Sequence, residues 1–253
     1  MDRMMYLAMS GAKQNFQALG VHANNLANAK TTGFKADLEQ SRAMQAFGEG
    51  MPTRVFAMTE NPASSYRIGS LMTTDRSLDV AVKGDGWLAV QDAEGQEAYT
   101  RAGDLRITPE GMIENGMGRA LIGDDGAPIF VPQPYAKIEV GGDGTVSVLP
   151  QGAPPNAIAA VGRIKLVRPD NANLDKGLDG LFRLKEPGPL GSTIAPADID
   201  VKLMSGVLEG SNVNAVSEMT TMISLQRQFE MQIKMMRTAE DIDRSGDQLL
   251  RLG

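Results

Sequence analysis

The sequence contains no cysteine, and it has only one histidine and one tryptophan among 253 residues. Without thiols the chain has no disulfide, no iron–sulfur cluster and no thiolate zinc site. A serine–histidine–aspartate triad would depend on His22 alone, and no nucleophile stands in a recognisable pattern with it. We therefore predict that the protein is not an enzyme, with no catalytic residue, no metal site and no cofactor.

The chain also lacks positive charge in excess and any long apolar run. Its formal net charge is −6, which argues against a nucleic-acid partner. No apolar run approaches the roughly 20 residues of a membrane span, so we expect no membrane insertion. The first residues show no basic region followed by a long apolar stretch, so we expect no cleaved signal.

Proline and glycine are scarce at both ends of the chain. All 13 prolines and 24 of the 28 glycines lie between residues 31 and 211. Because both residue types interrupt helices, this distribution predicts a helix, then a turn-rich body, then a second helix.

Each terminal segment carries apolar residues at spacings of three and four, and in the first segment the two spacings alternate as in a coiled-coil seam. The first seam is Met5, Met9, Ala12, Phe16, Leu19, Ala23 and Leu26, and the second is Val216, Met219, Met222, Leu225, Phe229, Ile233 and Met236. The first helix should end between residues 28 and 33, with Gly33 at positive φ, and the second should run from about 214 to 240, capped by Asn212 or Asn214. We predict that the two helices pair as a coiled coil; docking of each helix onto the central body is the alternative.

The middle of the chain alternates short apolar runs with turn signals. Residues 77–83 and 87–90 flank Gly84, Asp85 and Gly86, and further runs follow at short intervals up to residue 184. This pattern predicts an α+β protein whose central, mainly β domain resembles a barrel or sandwich. We expect four parts: the N-terminal helix (1–33), an extended arm or linker (34–76), the β domain (77–205) and the C-terminal helix (206–253).

Four motifs resemble those of the axial proteins of the bacterial flagellum, a family of rod, hook and related subunits. They cover residues 23–35, 78–87, 98–104 and 205–214, in the order found in the family. The motif residues are Asn24, Asn25, Leu26, Ala27, Asn28, Gly33, Phe34, Leu78, Asp79, Gly84, Gly86, Trp87, Gly206, Leu208, Glu209, Ser211 and Asn212. Residues 161–167, 179–184 and 227–232 are most similar to a proximal rod subunit.

The resemblance implies a structural subunit of the flagellar basal-body rod, the drive shaft that crosses the periplasm. It implies polymerisation of the terminal helices into an inner tube around the export channel, with ends that order only on assembly. The implied partners are copies of the chain, proximal rod proteins below, a distal rod protein above and the flagellar type III export apparatus. The alternatives are a distal rod or hook-type subunit and a β-rich binding module on a coiled-coil stalk.

Overall fold

The computed structural model describes residues 2–45, 55–154, 156–185 and 193–251. The chain divides into two compact units. The first, here called the helical unit, comprises residues 1–29, 36–65 and 213–253. The second, here called the β unit, comprises residues 30–35 and 66–212.

The helical unit contains the two terminal helices, α1 (Asp2–Ala27) and α2 (Ala215–Arg251), packed together. α1 ends just before the predicted stop region. Asn214 caps α2, because its Oδ1 accepts hydrogen bonds from the backbone N–H groups of Val216 (3.1 Å) and Ser217 (3.2 Å). α2 continues through Gly246, so it is about three turns longer than the sequence predicted. Along the described ranges neither helix has the length and hydropathy of a membrane span.

Most of the described part of the predicted arm is a β-hairpin in the helical unit, while residues 34–35 and 66–76 belong to the β unit. Strands β1 (Asp37–Gln45) and β2 (Val55–Ser64) pair antiparallel, with Asp37 opposite Ser64 and Gln45 opposite Val55. The sequence here has few β-branched residues, which is why its pattern predicted an arm rather than strands. Residues 46–54 of the predicted arm lie outside the described residues.

The β unit contains fourteen short strands and one 3₁₀ turn within the described ranges. The strands are β3 (Leu71–Thr73), β4 (Val80–Lys83), β5 (Trp87–Gln91), β6 (Glu97–Thr100), β7 (Leu105–Ile107), β8 (Ile113–Asn115), β9 (Tyr135–Val140), β10 (Thr145–Pro150), β11 (Ala159–Arg163), β12 (Leu166–Val167), β13 (Leu174–Lys176), β14 (Phe182–Leu184), β15 (Lys202–Ser205) and β16 (Val207–Glu209).

The β-rich centre is as predicted, but the barrel is not confirmed. The largest sheet has five strands in the order β12-β5-β6-β14-β13, and a second has the order β11-β10-β9. The pairs β15-β4, β16-β3 and β7-β8 complete the unit, and none of these described sheets closes on itself. Aliphatic side chains from these strands form the main core, and Trp87, Tyr99 and Phe182 form a second, aromatic cluster beside it.

Candidate assembly surface

α1 and α2 run antiparallel to each other. His22 Nδ1 lies 2.5 Å from Glu218 Oε2, near the end of α1 and the start of α2. Eleven residues earlier on α1, Gly11 faces Gln232: a Cβ at Gly11 would lie 2.9 Å from Gln232 Nε2. The amide end of the Gln232 side chain lies where a side chain at position 11 would begin.

One side of α1 is covered inside the helical unit. We call this side the inner stripe of α1; its members are Met5, Ala8, Ala12, Asn15, Leu19, His22 and Leu26, all buried or half-buried. Their spacings alternate between three and four residues, as expected for one continuous helix–helix seam. Four predicted seam residues, Met5, Ala12, Leu19 and Leu26, belong to this stripe.

A second stripe on α1 is exposed along its whole length. This outer stripe consists of Tyr6, Met9, Lys13, Phe16, Gly20, Ala23 and Ala27. Phe16 is 67% exposed and Tyr6 61%. The other predicted seam residues, Met9, Phe16 and Ala23, lie here, so the seam read from the sequence divides into two adjacent stripes. Contact of either stripe with another subunit remains a prediction.

α2 also has apolar residues on two sides. The predicted seam residues Met222, Leu225, Phe229, Ile233 and Met236 are half-buried, on the side where Ala239 is fully buried. Val216 is 71% and Met219 51% exposed. Together with four more exposed apolar residues, spread over nearly half of the helix circumference, they make up what we call the outer stripe of α2: Val216, Met219, Ile223, Met231, Met235 and Ile242.

Asn25 ties α1 to the first strand of the hairpin. Its buried side chain accepts a hydrogen bond from Asp37 N (2.9 Å) and donates one to Asp37 O (2.9 Å). The amide thus pairs with Asp37 as a neighbouring strand residue would. Asn28 donates to the carbonyl and side-chain oxygens of Asn24, at 3.0 and 2.7 Å, in the turn that follows α1. Leu26 between them is half-buried and Ala27 is exposed.

A buried charged cluster brings three of the four motifs together in the β unit. Glu209 Oε1 accepts a hydrogen bond from Lys35 Nζ (2.6 Å), and Glu209 Oε2 accepts one from Arg101 (2.9 Å). Glu209 is fully buried, and Lys35 and Arg101 are almost so. Burial lowers the pKa of Lys35, although its hydrogen bond to Glu209 and the charge of that carboxylate act in the opposite direction.

The sequence did not reveal this cluster. Glu209 is one of the motif residues, and Lys35 and Arg101 lie within two other motifs. The sequence predicted no contact between the three. The signal that could have found them is a charged residue in each of three motifs flanked by apolar or small residues. A chain with buried charges needs them paired.

Gly33 has the predicted positive φ, at +67°, but it serves a different purpose from a helix cap. α1 has already ended at Ala27, and Gly33 donates its N–H to the carbonyl of Glu209 at 2.7 Å. A Cβ at Gly33 would lie 2.2 Å from the carbonyl carbon of Arg101. Glycine is therefore required by both the backbone conformation and the close approach of Arg101.

The remaining motif residues surround the same part of the β unit. Lys176 Nζ lies 4.0 Å from the ring centre of Phe34, and the Arg101 guanidinium lies 5.4 Å from that of Trp87. Asp79 is buried and accepts the N–H of Gly206 on its backbone oxygen at 2.8 Å. The others lie along the same segments: Gly86 buried, Leu78, Leu208, Ser211 and Asn212 half-buried, and Gly84 exposed.

Three family models match the chain. The family described as "Flagella basal body rod protein" matches residues 5–35, which contain α1. "Flagellar hook protein FlgE/F/G D1 domain" matches residues 81–148 in the β unit, and "Flagellar basal body rod FlgEFG protein C-terminal" matches residues 204–249.

Full-length relatives agree with these matches. The chain is 43% identical to the flagellar basal-body rod protein FlgF of Escherichia coli K12 and 42% identical to that of Salmonella typhimurium LT2, with each alignment covering 100% of both chains. The FlgF of Caulobacter vibrioides is 34% identical over 97% of this chain and 96% of its own. The chain therefore belongs to the FlgF family of flagellar basal-body rod proteins.

Proposed function

We propose that the chain is a structural subunit of the flagellar basal-body rod, without enzymatic activity, and that it polymerises through α1 and α2. The observation that carries the proposal is the outer stripe on each terminal helix, where large apolar side chains stay exposed after the two helices have packed together. Exposed apolar surface of this extent marks an interaction site.

Assembly would be driven by burial of these stripes between neighbouring copies. Covering apolar surface contributes roughly 25 cal/mol per Å², which offsets the entropy lost on association. A head-to-tail contact that does not close on itself produces a helical filament, as a rod requires. In this arrangement the helices form the coiled-coil inner tube around the export channel, and tight lateral packing gives the shaft the stiffness to transmit torque.

Position and partners follow the same proposal. The subunit lies in the proximal rod within the periplasm, between further proximal rod proteins and the distal rod protein. It reaches this place through the flagellar type III export apparatus. The family resemblance of its motifs supports these finer assignments.

A single substitution on the outer stripe of α1 tests the proposal. Phe16→Asp places a charge where an apolar side chain should be buried between subunits, while the exposed site leaves the subunit's own fold intact. We expect cells with this variant as their sole copy to lose swimming and to lack rods in electron micrographs of purified basal bodies.

The neighbouring exposed residue provides the control. Gln17→Asp introduces the same charge one position away, off the outer stripe, and should leave rods and swimming close to normal. Normal rods in the Phe16→Asp strain, or absence of the wild-type chain from basal bodies, would contradict the proposed function.

A further inference from the structure

We propose that Asp79 and Asp104 share one proton in the folded chain, and that this proton forms a pH-sensitive contact between two segments of the β unit. Asp79 immediately precedes β4, and Asp104 immediately precedes β7. With the proton bound, one carboxyl group donates a hydrogen bond to the other; without it, two negative charges face each other. The inference concerns the β unit alone and does not depend on the proposed function.

The backbone places the two side chains directly opposite each other. Asp79 and Asp104 form an isolated antiparallel bridge, with backbone hydrogen bonds of 2.9 and 3.3 Å between the residues on either side. This pattern defines a non-hydrogen-bonded pair, in which the α-carbons lie about 4.5 Å apart and the side chains are at their closest. A Cβ at Gly103 would lie 1.8 Å from the carbonyl oxygen of Val80, so glycine at this position allows the two segments to approach.

One oxygen of Asp79 lacks a hydrogen-bond donor. The side chain is almost fully buried, and no group in the described part of the chain donates a hydrogen bond to its Oδ1. Nη1 of Arg76 lies 3.7 Å from this oxygen, but the Arg76 side chain is more than half exposed, so solvent screens the attraction. A buried polar atom without a partner costs free energy. A proton on Asp104 would supply the donor that Asp79 lacks.

The surroundings of Asp104 favour its protonated form. Burial raises the pKa of Asp104, and the negative charge of Asp79 raises it further. Hydrogen bonds from the backbone N–H groups of Asp104 and Gly116, together with the charge of Arg106, act in the opposite direction without cancelling the rise. A Cβ at Gly116 would lie 1.9 Å from Asp104 Oδ2, so the carboxyl group occupies the space that a side chain at residue 116 would fill.

The charged side chains around the pair leave it one proton short of neutrality. Within the described residues, the cations near the pair are Arg76 and Arg106, and the carboxylates are Asp79, Asp104 and Glu114. Arg106 donates a hydrogen bond to Glu114 at 2.6 Å, so its charge is divided between two carboxylates. One added proton therefore brings this group of charges to zero.

A proton suits the pair better than a metal ion does. Ca²⁺ takes about six to eight oxygen ligands. The residues that the structure describes contain no group of three histidine, cysteine or acidic side chains able to hold a metal. Two carboxylates at one site, by contrast, titrate as a pair and hold one proton between them. The proton comes from solvent and binds an Asp104 oxygen, which donates it in a hydrogen bond to Asp79 Oδ1.

The contact should strengthen as pH falls. Because Asp104 has a higher pKa in the folded chain than in the unfolded chain, stability rises as pH falls through the folded-state value. The gain is complete below the unfolded-state pKa of about 3.9, and it is lost again as pH rises.

Nuclear magnetic resonance of the full chain, isotope-labelled at the aspartate carboxyl carbons, tests the inference. Asp79→Asn and Asp104→Asn assign the two signals. We expect the Asp104 signal to titrate at a higher pH than that of an exposed aspartate, and the Asp79 signal to shift with it. In Asp79→Asn the Asp104 titration should move to lower pH, because the opposing charge is gone. An Asp104 titration that Asp79→Asn leaves unmoved would overturn the inference.

Urea unfolding of Asp104→Asn gives a measurement that does not require Asp79→Asn to fold. Its amide is neutral at every pH and is able to donate the hydrogen bond to Asp79 Oδ1. We expect its urea midpoint to exceed that of the wild type at about pH 8, and the difference to shrink towards about pH 4.

Asp85→Asn is the matched control. It removes the same charge from an exposed side chain between β4 and β5, so its midpoint should stay closer to that of the wild type. Equal effects of Asp104→Asn and Asp85→Asn at every pH would contradict the shared proton. So would a rise in the wild-type midpoint on addition of Ca²⁺ that Asp104→Asn lacks, because the pair would then hold a metal ion.

Discussion

Glu209 accepts hydrogen bonds from donors in three separate parts of the β unit. Lys35 Nζ and the backbone N–H of Gly69 reach one carboxylate oxygen, at 2.6 and 3.0 Å, and Arg101 reaches the other at 2.9 Å. A buried carboxylate with this many donors keeps two buried cations compensated. Removing its charge would leave Lys35 and Arg101 buried without the negative charge that compensates for their lost hydration.

Glu209→Gln should therefore lower the free energy of unfolding by about 3 kcal/mol, the cost of breaking a buried ion pair. The side chain keeps its size, so the effect reports the lost charge rather than a cavity. Urea unfolding of the full chain, followed by the fluorescence of Trp87, measures it, because the sole tryptophan lies in the same unit.

Glu114→Gln is the control. Glu114 pairs with Arg106 at 2.6 Å, but Arg106 is more than half exposed, so the loss should stay below about 1 kcal/mol. Equal losses in the two variants would show that the Glu209 cluster contributes no more than a surface pair.

At the residue scale the sequence predicted positions better than contacts. It marked Gly33 for a positive φ and Glu209 as a motif residue. It could not show that Lys35, Arg101 and Glu209 meet, because such pairing depends on how distant segments fold together.

The two stripes of α1 show the limit of prediction at the scale of one element. The sequence pattern identified the helix, because residues of both stripes recur at helical spacing. The pattern assigned Met5 and Ala12 to the same seam as Met9 and Phe16, because two stripes about 100° apart together form one broad apolar face of the helix. Only the position of α2 separates the covered side from the exposed one. The β1–β2 hairpin was missed because its sequence has weak strand propensity.

The β13–β14 hairpin carries a charged group that should respond to acid. The pKa of Asp179 lies below its ordinary value, chiefly because Arg183 donates a hydrogen bond to it. Desolvation by burial would raise the pKa of Asp92, but hydrogen bonds from Arg183 and the Gln96 and Glu94 amides together lower it. Arg183 joins the two carboxylates at 2.7 and 2.8 Å.

Both depressed pKa values stabilise the folded chain above the unfolded-state pKa of about 3.9, and this contribution is lost as pH falls through the lower folded-state values. Arg183→Gln should therefore reduce stability at neutral pH, and the difference from the wild type should shrink below about pH 4. Urea unfolding at several pH values measures this. Arg168→Gln, which removes a looser and more exposed pair with Asp198 at 3.5 Å, is the control and should cost less than about 1 kcal/mol at neutral pH, and a constant deficit for Arg183→Gln would contradict the assignment.

On the scale of the whole molecule, the two units differ in what they bury. Where side-chain burial is described in the helical unit, at residues 5–29, 36–39, 63–65 and 213–246, the buried apolar side chains are alanines: Ala8, Ala12, Ala18, Ala36 and Ala239. The β unit buries many larger side chains, including Leu88, Tyr99 and Phe182. Larger buried apolar area gives greater stability, so the helical unit should be the weaker of the two.

Heating the isolated full chain should therefore unfold it in two steps. The helical signal in circular dichroism should fall first, with α1 and α2, and the fluorescence of Trp87 should change at a higher temperature. Glu209→Gln should lower the second transition more than the first. Coincident transitions for the two signals would mean that the units unfold together.

The order of helix, β-rich body and helix was predictable, because proline and glycine concentrate between residues 31 and 211. Whether the strands close into a barrel was not predictable, since short strands bounded by turns are equally typical of barrels and of several small sheets. The sequence also placed the arm between the helix and the β domain, whereas Asp37 and Ser64 belong to the helical unit.

The distance along the chain between Lys35 and Glu209, 174 residues, has a consequence for the timing of folding. Every polypeptide is synthesised from its amino end, so Lys35 and Arg101 leave the ribosome well before Glu209. Until Glu209 has been synthesised, Lys35 and Arg101 have no counter-ion, and burying them in the β unit costs much free energy. We therefore expect the core of the β unit to pack only after the last fifth of the chain, which begins close to Glu209, has been synthesised.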